Sequence, residues 1–389
     1  MMPCSWIDTP YHQQDKSYYC GAAVAQMMVD DRACEPEEQG ALYDLLHDPC
    51  QHWYTAPDRL ATFLGTRLHE TVAMFSDPDP LAACERLARA LVPARLAVPA
   101  VVLDGQHWVL VTGVTYQAAE RAGEVEAVDG FFFNDPSPVT AYVIYPGASS
   151  PPFPHGSDDA CGRGDHYGFA DTYATIGGWL SEYWPPAQTA PCITVCRTSL
   201  MLPRPLQLGA RRPCDDVTPG SAPISCDQAM ACATAGIVRN AIDREGPLAR
   251  QLYGSVAVGA RYVGGNDTTT AYYLVFLKQD GKIVGTATVD ALDGALGSVQ
   301  AATTAPHPPN TKHSHIVAAL QAEASRYAPF HDFRDVRADE VVVDEALYWR
   351  PSRESISRHR PFVRINVAGI TLYRGLDGRF HSALEPAGA

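Results

Sequence analysis

The order of the residue patterns constrains the fold of this chain more than any other feature of its sequence. Apolar residues first recur at helical spacing, which predicts helices over residues 20–31, 37–46, 57–64 and 80–91. Runs rich in valine, threonine and aromatic residues follow, which predict strands over residues 98–103, 107–116 and 128–133. Helices followed by antiparallel strands are typical of the α+β class, in which helices pack on the sheet.

Proline and glycine near the middle of the chain indicate a domain boundary. They are concentrated in residues 202–205 and 218–223, so we expect a linker at 201–225. A chain of 389 residues also exceeds the roughly 100–200 residues of a typical domain. We therefore expect an α+β domain at 1–200 and a second α+β domain at 226–389. The sequence leaves the role of the second domain open among substrate holding, inhibition of the first domain and assembly.

The negative charge of the chain is concentrated in its first half. Residues 1–200 carry 10 Lys and Arg against 25 Asp and Glu, whereas residues 201–389 carry 20 against 19. This distribution argues against nucleic acid as a partner, because phosphate backbones repel an acidic surface. It is compatible with a basic or neutral peptide substrate, although a solubilising acidic surface is the simpler explanation. We see neither a membrane span nor a secretory signal, so we expect a cytoplasmic address.

The cysteines indicate thiol chemistry rather than a disulfide framework. Their number is eleven, which is odd, and the spacing between them is not compact, so we expect reduced thiols. Cys20 stands at the predicted start of the first helix, where unpaired backbone N–H groups and the helix dipole favour a thiolate. The alternative interpretation of Cys20 is a small buried apolar residue, which is common for cysteine.

Three further sites complete a possible catalytic set. Gln14 precedes Cys20 by six residues, and its amide could donate to an oxyanion together with the Cys20 backbone N–H. His107 opens an apolar strand after an Asp-Gly turn, a rigid position that suits a general base. Asn134 and Asp135 end the next strand, so an amide or a carboxylate could lie beside the imidazole. Individually, these residues also fit a loop glutamine, a surface histidine and an ordinary strand-ending turn.

Taken together, these motifs resemble the papain-like cysteine peptidases, and among them the bacteriocin-leader-processing type (cysteine peptidase family 39-like). The resemblance covers about residues 5–197 and rests on the Gln-to-Cys spacing, Cys-Gly-Ala, His-Trp-Val-Leu-Val and Asn-Asp-Pro. It implies a papain-like fold for the first domain. The resemblance also implies that Cys20 is the nucleophile, His107 the base, Asp135 the orienting group and Gln14 the oxyanion donor. Asn134 is the alternative orienting group, because papain itself uses an asparagine.

The function that this resemblance implies is hydrolysis of peptide or other amide bonds through a thioester. The exporter members of the family carry membrane and nucleotide-binding segments, and we find no phosphate-binding loop or membrane span here, so we expect a stand-alone enzyme. We expect a peptide or protein substrate, no cofactor, no metal, and neither nucleic acid nor membrane as a partner; the sequence does not indicate the oligomeric state. Two alternatives stay open: a catalytically silent binding or scaffold protein, and a transferase or deamidase that uses the same thioester.

Overall fold

The computed structural model describes most of the chain. The described residues are 4–16, 18–30, 37–48, 51–94, 96–118, 125–136, 169–185, 188–198, 207–209, 211–215, 217, 222–264, 271–301, 312–326, 328–350, 352, 355, 357–375 and 378–384.

The described part of the first half contains the predicted helices and strands, and four further strands lie before and between its first four helices. Its helices are α1 (Cys20–Val29), α2 (Gln39–Leu46), α3 (Pro57–Leu68), α4 (Pro80–Ala94) and α5 (Ile176–Glu182). Its strands are β1 (Cys4–Trp6), β2 (His47–Asp48), β3 (Gln51–Thr55), β4 (Val72–Asp77), β5 (Val98–Val102), β6 (His107–Ala118), β7 (Val125–Asp135), β8 (Phe169–Thr175), β9 (Cys192–Arg197) and β10 (Gln207–Leu208). Each predicted element named above therefore exists, with ends that differ by a few residues.

The second half also mixes helices and strands. Its α-helices are α6 (Cys226–Arg239), α7 (Ala249–Leu252) and α8 (His313–Arg326), and two 3₁₀ helices cover Ala328–Phe333 and Ala338–Glu340. Its strands are β11 (Val256–Gly264), β12 (Tyr272–Gln279), β13 (Lys282–Asp290), β14 (Leu296–Ala301), β15 (Val341–Tyr348), β16 (Phe362–Val367), β17 (Ile370–Arg374) and β18 (Phe380–His381). No helix among the described residues is both long enough and apolar enough to cross a bilayer.

One large sheet runs through both halves of the chain. Its strand order is β18-β17-β16-β15-β11-β12-β13-β14-β8-β7-β6-β5-β9-β4, with β1 added to β6 and β10 added to β7. The pairings are antiparallel except for β10 with β7 and β11 with β15. The halves meet where β14 pairs with β8, with Val299 opposite Tyr173. The fold is thus a mixture of helices with a mostly antiparallel sheet, which agrees with the α+β class.

Side chains of the central strands alternate between two faces of the sheet, as the pleat requires. Trp108 and Leu110 of β6 pack against α1, α2 and α3, whereas the intervening Val109 packs on the other face with α4 and α5. In β7, Phe131 packs on that same second face, but Phe132 enters the core of the second half. The second half therefore covers part of the sheet that carries His107 and Asp135.

The segment between the two halves is bonded to both of them. Gly209 donates its backbone N–H to Val128 of β7 at 2.7 Å, and the Arg211 guanidinium pairs with Asp290 at 2.7 Å and Asp293 at 2.9 Å. Gln207–Leu208 adds a short strand to the sheet within the residues that we expect to form a linker. The described residues of this segment thus contribute to the packing between the halves.

The expectation of reduced thiols without disulfides is wrong for one pair of cysteines. Cys214 and Cys232 form a disulfide, with their Cα atoms 5.6 Å apart. The pairing joins α6 to the chain just after Gly209, and the 18-residue separation between the cysteines gave no recognisable spacing in the sequence. The other described cysteines are free; they are Cys4, Cys20, Cys84, Cys192, Cys196 and Cys226.

Candidate active site

Cys20 is the first residue of α1 and is half-buried beside the core of the first half. Tyr19 precedes it without a side-chain capping bond, and the first turn contains no acidic residue. The N-terminal N–H groups of this helix therefore present partial positive charge at the end where Cys20 lies. The next residue, Gly21, has to be glycine, because a Cβ at that position would lie 2.5 Å from the Thr55 side chain. The close packing of Thr55 explains why Cys-Gly, rather than Cys-Ala, begins the helix.

A tight turn places His107 at the first position of β6. Leu103, Asp104 and Gly105 all have positive φ angles, of 55°, 57° and 86°. The Asp104 carboxylate holds this turn, because its Oδ1 accepts the backbone N–H groups of Thr189 at 2.7 Å and Ala190 at 2.6 Å. These bonds lower the pKa of Asp104, although burial opposes them. The histidine is thereby fixed at the end of the sheet that faces α1.

The imidazole of His107 meets the carboxylate of Asp135 in a buried pair. His107 Nε2 lies 2.8 Å from Asp135 Oδ1, and each side chain is only 3% exposed. Asp135 is the last residue of β7, the strand that pairs with β6. Asn134 donates its Nδ2 to Thr9 Oγ1 at 3.3 Å. Of the two candidate orienting groups, Asp135 contacts the imidazole directly.

Cys20 is close enough to His107 to raise the pKa of the imidazole, so that one ring interacts with both groups. Burial lowers the pKa of His107, but the charge of Asp135, its hydrogen bond and the interaction with Cys20 raise it to about 10. The ring is therefore an imidazolium at neutral pH. A positive ring between a carboxylate and a sulfur is the charge arrangement of a thiolate–imidazolium pair.

Gln14 is buried in a loop that attaches to the end of β7. Its backbone N–H donates to the Pro136 carbonyl at 2.9 Å, one residue beyond Asp135. Its side-chain Nε2 donates to the Lys16 carbonyl at 2.9 Å, which fixes the plane of the carboxamide. Gln14 is thus tied both to the end of β7 and to Lys16, which lies four residues before α1 begins.

Two tyrosines near the site were not identified from the sequence. The Tyr11 hydroxyl donates to the backbone carbonyl of Asp135 at 2.9 Å and ties the Gln14 loop to β7 a second time. Tyr43 of α2 stacks on Tyr19, with ring centroids 4.8 Å apart. Burial, the neighbouring Tyr19 and Asp44, and Cys20 raise the pKa of Tyr43 to about 12, so its phenol stays neutral beside the sulfur. Tyrosines are common in loops and cores, and nothing in their spacing singles these two out.

Within the described residues, no group of three or more His, Cys, Asp or Glu side chains is arranged to hold a metal ion. The chemistry that these residues can perform is nucleophilic attack by sulfur, proton transfer by an imidazole and hydrogen bonding to an oxyanion.

Comparison with known proteins found no relative of this chain. No protein-family model, no curated protein and no solved structure matches this chain.

Proposed function

We propose that this chain is a papain-like thiol hydrolase that cleaves peptide or other amide bonds. Cys20 is the nucleophile, His107 the general acid and base, Asp135 the orienting group and Gln14 the oxyanion donor. The observation that carries the proposal is the buried imidazole of His107, which is bonded to Asp135 at 2.8 Å and is close enough to Cys20 for the two side chains to interact. An unmatched charge would be costly here, because the side chains of His107 and Asp135 are each only 3% exposed.

The acylation step begins when the Cys20 thiolate attacks the carbonyl carbon of an amide. The carbonyl π electrons move onto oxygen, and the oxyanion accepts hydrogen bonds from the Gln14 side chain and the Cys20 backbone N–H. The oxyanion then collapses, the C–N bond breaks, and the His107 imidazolium gives its proton to the leaving amine. The products are a thioester on Cys20, a free amine and a neutral imidazole.

Deacylation reverses the roles of the imidazole. The neutral ring of His107 takes a proton from a water molecule while the oxygen of that water attacks the thioester carbonyl. Collapse of the second oxyanion breaks the C–S bond, which restores the Cys20 thiolate, the imidazolium and a free carboxylic acid product. Asp135 does not exchange a proton in this scheme, since it holds the ring orientation and stabilises its positive charge.

The packing around the site supports the papain-like assignment. Helix α1 starts with the nucleophile and packs on β6, and the histidine and the aspartate come from neighbouring antiparallel strands. The proposed substrate is a basic or neutral peptide, because the half of the chain that contains the site is strongly acidic.

The test is a search for cleavage in a peptide library of diverse sequence. The parent protein and Cys20→Ala are incubated with the library, and new peptide termini are identified by mass spectrometry. Cys226→Ala is the matched control, because Cys226 is another free cysteine at the start of a helix. We expect cleavage by the parent and by Cys226→Ala, and none by Cys20→Ala.

The mass of the product also separates the proposal from its alternatives. A new amide link between two peptides supports a transferase, and a gain of about one mass unit on glutamine supports a deamidase. Peptides that are retained by the protein without any change of mass support a binding or scaffold role.

A further inference from the structure

Gln39 contacts the peptide groups on both sides of Gln14. It is the first residue of α2, and only 4% of it is exposed. Its Oε1 accepts the backbone N–H of Asp15 at 2.9 Å, and its Nε2 donates to the backbone carbonyl of Gln13 at 2.7 Å. One buried carboxamide therefore holds the backbone immediately before and immediately after the proposed oxyanion donor.

A second glutamine fixes Gln39 in turn. Gln39 Nε2 also donates to Gln26 Oε1 at 2.9 Å, and Gln26 Nε2 donates to the Glu37 carbonyl at 2.7 Å. Both N–H donors of Gln39 are thus engaged, so its carboxamide has one satisfied orientation in a buried site. Gln26 belongs to α1, the helix that Cys20 begins. The amide pair connects the Gln14 loop to the helix that carries the nucleophile.

We propose that Gln39 is a positioning residue for acyl transfer, which sets the distance between Gln14 and Cys20 by holding the peptide groups that flank Gln14. This inference rests on the proposed function, because it assigns Gln39 a role through the oxyanion donor. An oxyanion donor is effective only at hydrogen-bond distance from the developing charge, and a displacement of about 1 Å can cost about a hundredfold in rate.

Two reactions of the same sulfur separate this role from general support of the fold. In the first, Cys20 attacks the carbonyl carbon of 4-nitrophenyl acetate; the C–O bond breaks, and 4-nitrophenolate leaves after an oxyanion has formed. In the second, Cys20 displaces iodide from the methylene carbon of iodoacetamide, and no oxyanion forms. Both rates are measured on the Cys20 peptide by mass spectrometry.

Gln39→Met keeps the length of the side chain and removes its hydrogen bonds. We expect acetylation of Cys20 to slow by about tenfold or more, with alkylation unchanged. The matched control is Gln300→Met, since Gln300 is a buried glutamine on β14 that donates to Thr172 Oγ1 at 3.4 Å. Both reactions should keep the parent rate in that variant. Acetylation at the parent rate in Gln39→Met, or an equal loss of both reactions, would overturn the positioning role.

A double-mutant cycle tests the route through Gln14. In a Gln14→Ala background, Gln39→Met should slow acetylation little further, because the donor that it positions is already absent. Effects that multiply independently would contradict the inference. If Gln39→Met does not fold, Gln39→Glu replaces it, because it keeps the acceptor for Asp15 and loses the donor to Gln13; acetylation should then slow while alkylation does not.

Failure of the proposed function gives a different result. In that case the parent protein itself shows slow alkylation of Cys20, and His107→Ala does not change the rate. Fast, His107-dependent alkylation together with unchanged acetylation in Gln39→Met refutes only the role of Gln39.

Discussion

Replacing Asp135 with asparagine is expected to convert His107 from a charged to a neutral ring at pH 7. The charge of Asp135 is the largest influence that raises the pKa of His107, and burial is the largest influence that lowers it. Asparagine keeps the size of the side chain and removes the charge. We therefore expect the pKa of His107 to fall from about 10 to its ordinary value of about 6.5 or below.

The expected loss of stability follows from the difference between the two pKa values of His107. At 1.36 kcal/mol per pH unit, a pKa of about 10 instead of 6.5 corresponds to about 5 kcal/mol of preference for the charged ring in the folded protein. Breaking a buried ion pair typically costs roughly 3–5 kcal/mol, which is the same scale. Because the folded pKa is raised, this stability is fully present below about pH 6.5 and is lost as the pH rises through about 10.

The assay combines histidine NMR with unfolding by urea. In the parent, the His107 ring should remain protonated from pH 5 to about pH 9, whereas in Asp135→Asn it should be neutral at pH 7. The variant should also lose roughly 3–5 kcal/mol of unfolding free energy at pH 6, and the difference should narrow above pH 10. Asp215→Asn is the control, since the Asp215 side chain is 87% exposed. A His107 ring that titrates near pH 6.5 in the parent would refute the reasoning.

Three further predictions concern packing. Gly21→Ala should lower the unfolding free energy by about 1–3 kcal/mol, because its Cβ would lie 2.5 Å from Thr55, whereas Gly259→Ala has open space and should stay near the parent in urea unfolding. Cys214→Ser should lower the unfolding free energy by about 3 kcal/mol, because the lost disulfide closes a loop of 18 residues. A reductant should lower the stability of the parent protein but not that of this variant. Phe132→Ala should lower the unfolding free energy by about 3–5 kcal/mol, because this ring of β7 packs in the core of the second half. Both halves should unfold in a single urea transition, and two separate transitions would contradict the prediction.

Local patterns in the sequence were sufficient to predict the elements that carry the candidate site. The predicted helix start at Cys20 and the predicted strand start at His107 agree with α1 and β6. Both starts have a local physical cause, an apolar run at helical spacing in one case and an apolar strand after an Asp-Gly turn in the other. The catalytic roles of these residues stay predictions until they are measured.

Long-range pairing could not be read from the sequence. The choice between Asn134 and Asp135 depends on the register of β7 against β6. This pairing is irregular at three places, and each irregularity can change the face of the sheet on which the following side chains lie. The pairing of β8 with β14 joins segments more than a hundred residues apart, and no local signal specifies it. The contacts of Gln39 are equally non-local, since they depend on how α2 packs beside the Gln14 loop.

The most direct test of the central claim is the alkylation rate of Cys20 at pH 6. The parent protein and His107→Ala are treated with iodoacetamide, and each modified cysteine is followed by peptide mass spectrometry, with the exposed Cys226 as the internal reference. The thiolate–imidazolium pair predicts that Cys20 reacts much faster than Cys226 in the parent and loses this advantage in His107→Ala. A Cys20 that reacts no faster than Cys226, and at the same rate with or without His107, would contradict the account.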